Sequence, residues 1–143
     1  MQLIYLLEIG KERNVNNEEE QFEHILYATY HPRNGSYLER ETEHDKFSVL
    51  PSLDDVSPTA ITILDRFILL LKDLNIVLEE THKARDTEMT LHILELIVLC
   101  KFCVWNPEQC WLSFTPWGNS NCPTALPENV RLSISGLAPI LEK

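Results

Sequence analysis

The sequence predicts an all-α fold of five to seven helices, and three observations carry that expectation. Four glycines and eight prolines in 143 residues leave little material for the tight turns of an all-β fold. Long runs in the middle of the chain place apolar residues at helical spacing. Short polar breaks separate those runs, the usual link in antiparallel helical hairpins. The length suits one domain over 1–143, with N-terminal helices in 1–31, a loop in 32–56 and a main helical core in 57–143.

Leu3, Ile4, Leu6 and Leu7 surround a short helix over 2–9, which Gly10 stops with Lys11 and Arg13 near the negative end of its dipole. The second helix starts at Asn16 or Asn17, either of which can cap. Glu18, Glu19 and Glu20 then occupy the first turn, where the dipole favours anions, and Phe22, Ile25, Leu26 and Thr29 form the core stripe before His31-Pro32 ends it. From 32 to 55 the pattern dissolves into a turn signal at Asn34-Gly35, single apolar residues and mixed charge. A loop this long is expected to be the most mobile segment or to lie over a partner. A β-hairpin around Asn34-Gly35, pairing 27–30 with 37–38, is the alternative.

Ser57-Pro58 reads as the start of the third helix, the serine capping and the proline at the first helical position. Its stripe runs through Ala60, Ile61, Leu64, Phe67, Ile68, Leu71, Leu74 and Leu78, and Ile63, Leu70 and Val77 widen it beyond a half-buried face. A polar break over 81–86 brings the next cap, Asp86 or Thr87. The helix that follows, over 88–106, is apolar nearly all round and should be central. Pro107 then permits a helical turn over 108–114, a loop over 115–127, and a last helix holding Leu132, Ile134, Leu137, Ile140 and Leu141, bent at Gly136 and Pro139.

The net charge of −10 is concentrated in residues 1–57, where twelve acids meet five bases. That balance repels phosphate backbones, and no Lys/Arg stripe offsets it, so direct nucleic-acid binding is not expected. The apolar run at the start has no basic residues before it and no small-residue cleavage site after it. His92, Glu95 and Lys101 interrupt the most hydrophobic stretch, so no window spans a membrane. An intracellular protein, cytoplasmic or nuclear, is expected.

Three of the four cysteines, Cys100, Cys103 and Cys110, cluster near Trp105 and Trp111, with Cys122 beyond. A zinc site would need two knuckles on turns, yet the first pair sits inside an apolar helix and the second is widely spaced. A redox thiolate would need a helix N-terminus or a cation, whereas these come late in the helix. Core packing, with both tryptophans buried at a corner enforced by Pro107, is the expected role. His24 and His31 could share a helix face, Glu20 and His24 are spaced for a surface contact, and His92 and Glu95 are expected on the narrow polar edge of the central helix or paired with another helix.

No Gly-rich phosphate loop, G-x-S-x-G elbow or H-E-x-x-H pair is present, so no enzyme activity and no cofactor are implied. Stacked hairpins of such apolar helices resemble pieces of HEAT or armadillo-type solenoids in architecture, without a visible repeat. The expected function is a protein-protein interaction module, a subunit or segment of a larger scaffold. Its partner would be another protein, a helical segment or a basic peptide, in a homo- or hetero-oligomer. Ile63, Leu70 and Val77 are the candidate docking residues, and Glu18, Glu19 and Glu20 the candidate acidic face. The alternatives are a compact regulatory helical bundle that binds a basic segment through its acidic loop, and a cysteine-based zinc or thiol-redox protein.

Overall fold

Residues 3–54 and 56–116 are described by a computed structural model. They form strands β1 (Leu3–Arg13) and β2 (Glu19–Tyr30), helix α1 (Asn34–Leu38), a 3-10 turn (Leu50–Ser52), strand β3 (Thr59–Ile61), helices α2 (Leu64–Lys83) and α3 (Thr87–Trp105), and strand β4 (Cys110–Thr115). The four strands make an antiparallel sheet in the order β2-β1-β4-β3. The fold is therefore mixed α/β, and the all-α expectation, with its HEAT-like stacking of five to seven helices, is overturned.

The N-terminal helices of 1–31 are instead a β-hairpin. Ile4 and Leu6 enter the core, while Leu3, Tyr5, Leu7 and Ile9 alternate onto the opposite face of the sheet. Asn16 and Asn17 are turn residues rather than caps. The side-chain oxygen of Asn14 accepts the N–H groups of Asn16 and Glu18 at 2.9 and 3.0 Å, and Asn17 adopts a left-handed φ of 62°. Asparagine suits both positions because its short amide bonds locally and tolerates that conformation. One extra residue, Leu26, bulges from β2, because Leu6 faces Tyr27 while Leu7 faces Ile25.

The segment 32–56, expected as a mobile loop, is anchored to the core. Leu38, Phe47, Val49, Leu50 and Leu53 are buried in it. Asp73 of α2, itself buried, accepts the backbone N–H groups of Ser48, Val49 and Leu50 over 2.6 to 3.1 Å. Asn34-Gly35 opens α1 rather than a hairpin.

Ser57-Pro58 leads into β3, not into a helix, since Thr59, Ala60 and Ile61 pair with Phe114, Ser113 and Leu112. Helix α2 begins six residues after Pro58. The break after it is shorter than the expected 81–86, because α2 runs on through Lys83, but its end is as expected: Asp86 caps α3 by accepting from Met89 N at 3.2 Å. The two helices form an antiparallel hairpin, tied by Thr90 Oγ1 to Thr81 Oγ1 at 3.0 Å near its closed end and by Cys100 Sγ to the Phe67 carbonyl at 3.3 Å farther along. The helical turn expected over 108–114 is β4, whose Cys110, Leu112 and Phe114 alternate into the core. The last expected helix, over 128–143, and the loop before it from 117 onward lie outside the described residues. Among the described residues, no helix is long and apolar enough to cross a membrane.

Candidate interaction surfaces

Helix α2 packs Phe67, Leu70, Leu74 and Val77 into the core, positions separated by three or four residues. Leu70 and Val77 are wholly buried, so of the three candidate docking residues only Ile63 reaches solvent. Other apolar residues join it there. Ile63, Leu64, Ile68 and Leu69 are 58, 41, 51 and 37% exposed, and Trp105 is 49% exposed. Antiparallel packing brings the start of α2 and the end of α3 to the same, open end of the hairpin. Trp105 is thus not buried at the corner, and Trp111 is half-buried on β4. Near the closed end, Leu78, Glu79, His82, Thr90 and Leu94 line an open groove of about 290 Å³.

Glu18, Glu19 and Glu20 lie at the turn and the start of β2. Strand β4 pairs with β1 only from Leu3 to Glu8, so the rest of the β1–β2 ribbon extends as a two-stranded arm. Phe22 lies over Gly10, where a Cβ would come within 2.1 Å of the ring, and it meets His24 edge-on at 4.8 Å. Lys11 reaches Glu19 at 3.8 Å, Asn14 Nδ2 donates to Glu20 at 2.8 Å, and Val15 is fully exposed at the tip. His24 and His31 do not share a helix face.

His31 closes a polar network between the end of β2 and the start of α3. Its Nδ1 accepts from Arg33 N, which leaves Nε2 to donate to Glu88 Oε1 at 2.8 Å. The ring lies 5.0 Å from that of His92, whose Nε2 bonds Asn34 Oδ1 at 2.7 Å. His92 therefore pairs with α1, and burial together with neighbouring His31 pushes it down to about 4. Asp86 accepts from both terminal nitrogens of Arg33 and from the Tyr37 hydroxyl; the Arg33 guanidinium foremost holds it at about 2. A second cluster joins Arg40 and Lys46 to Glu80, with both cations over the Phe47 ring. These groups satisfy one another, so the network reads as a clasp between 31–47 and the helices. On α3, Glu95 buries one carboxylate oxygen that has no hydrogen-bond partner.

Cys100, Cys103 and Cys110 are buried and carry no disulfide. Burial pushes Cys100 up to about 12, Cys110 up to about 11 and Cys103 higher still, so none is a ready thiolate. Among the described residues, no group of three or more His, Cys, Asp or Glu side chains is placed to hold a metal ion; Cys122 lies outside them.

Leu64 and Ile68, expected in the core stripe, and Trp105, expected buried, reach solvent instead, as does Leu69, which the sequence pattern did not single out. The apolar stripe of α2 is wider than one face, and which part of it meets the core depends on where the sheet lies. No known protein family, curated protein or solved structure matches the chain.

Proposed function

We propose that the protein is a non-enzymatic interaction module that docks another protein on the open end of the α2–α3 hairpin. The supporting observation is the exposure of Ile63, Leu64, Ile68, Leu69 and Trp105 at one end of the two helices. Large apolar side chains exposed at one end of a folded surface mark a site that is covered in use, and tryptophan and aliphatic residues are suited to anchor an interface. Asp65 and Arg66 provide charged neighbours in the first turn of α2. The partner is a protein with an apolar face, such as an amphipathic helix. Three buried, unlinked thiols support an intracellular setting.

The test is site-specific photocrosslinking in cells. A photoreactive residue at position 68 or 105 should yield a discrete protein adduct, and one at Asn75, exposed farther along α2, should not. Absence of adducts at 68 and 105, or equal labelling at 75, would refute the reading.

A further inference from the structure

The sheet has two edges among the described residues, and they differ in kind. At one edge β3 is three residues long, while at the other β2 runs for twelve. Short edges, prolines and lysines are the usual protections against strand addition. Strand β2, EEQFEHILYATY, has no proline and no lysine. Its one irregularity, the bulge at Leu26, leaves a regular seven-residue run, Glu19 to Ile25, paired with Leu7 to Arg13. That run is exposed throughout except at Phe22. In an antiparallel ladder, alternate residues of an edge strand send both N–H and C=O outward, so the run presents a template for another strand.

Charge decides what the template fits. Glu19 and Glu23 fall on the face with Ile25, and Glu20 on the opposite face, so acids flank the edge on both sides. A second copy of the chain pairing over this run would crowd three acids from each strand into one short ladder, which like-charge repulsion disfavours. We propose that the edge of β2 accepts an extended, lysine- or arginine-rich segment of another protein as a fifth strand. Backbone hydrogen bonds supply the pairing, and cations beside Glu19, Glu20 and Glu23 supply the selection. This surface is separate from the apolar end of the helical hairpin, so it stands or falls independently of that reading.

The test uses the full chain and a blocked decapeptide of alternating lysine and valine, followed by residue-resolved amide exchange. The peptide should slow exchange at alternate amides of Glu19–Ile25, and the same peptide N-methylated at every second residue should not. Replacing the acids together, Glu19→Gln, Glu20→Gln and Glu23→Gln, should weaken binding about tenfold at low salt, in line with modest exposed ion pairs. Three results would overturn the proposal: no binding, equal binding of the N-methylated peptide through charge alone, or amides already protected without peptide because another segment of the chain or a second copy fills the edge.

Discussion

The carboxylate of Asp73 accepts hydrogen bonds from three consecutive backbone N–H groups and so holds residues 48–50 against α2. Replacing it with alanine strands three donors, two of them in buried contacts, and should cost about 3 kcal/mol in urea unfolding. Asp73→Asn keeps one acceptor oxygen in place and should cost less, which separates hydrogen bonding from packing. His92 is the acid-sensitive counterpart. Its folded value of about 4 lies below the ordinary 6.5, so folding favours the neutral ring. Its contribution, about 3 kcal/mol, is therefore complete above pH 6.5 and lost as pH falls through about 4. The groups that face it are His31 and Asn34, with Glu88, Arg33, Asp86 and Tyr37 in the adjoining network. His92→Gln retains a donor for Asn34 and should flatten the stability profile across that window. Asp86 acts lower: held at about 2 against 3.8, its contribution is present above 3.8 and fades as pH falls through about 2.

The β1–β2 hairpin shows where sequence pattern misleads at the scale of an element. Both faces of β1 carry apolar side chains, so Leu3, Ile4, Leu6 and Leu7 form a short apolar run that fits a buried helix or a buried strand equally well. In β2 the bulge at Leu26 shifts the phase: Phe22 and His24 share a face with Tyr27 and Thr29, and the unpaired Leu26 packs against the core as Tyr27 does. Alternation is lost at that step, and Phe22, Ile25, Leu26 and Thr29 imitate helical spacing. The α2–α3 hairpin was legible because its runs exceed strand length and Asp86 is a genuine cap. Within the arm, the Phe22 ring covers the Gly10 backbone and occupies the space a Cβ there would need. Gly10→Ala should displace the ring and destabilise the ribbon by about 1 kcal/mol. Amide exchange should then rise at 9–13 and 19–23 while α3 remains protected. Equal acceleration throughout would mean that the arm unfolds only with the whole domain.

For the molecule as a whole, one strongly apolar helical hairpin must serve both a core and a surface, and the division depends on which side the sheet covers. The sequence showed that the stretch leading into and through α2 carries more apolar residues than one face needs, and of Ile63, Leu70 and Val77 it is Ile63 that reaches solvent. The pattern could not separate Leu70 and Val77, which the core takes up, from Leu64, Ile68 and Leu69, which reach solvent. Two residues apart on the same helix, Leu70 and Ile68 therefore give opposite expectations for the same substitution. Leu70→Lys buries an unpaired cation and removes core contacts, a loss of about 4 kcal/mol that should abolish cooperative unfolding or lower its midpoint sharply. Ile68→Lys, at a half-exposed position, should change stability by less than about 0.5 kcal/mol and leave the circular dichroism of the helices intact. It should also weaken concentration-dependent association in sedimentation velocity, because a charge among exposed apolar residues opposes their burial. Similar destabilisation by both substitutions would place Ile68 in the core and leave the open end of the hairpin without a docking surface.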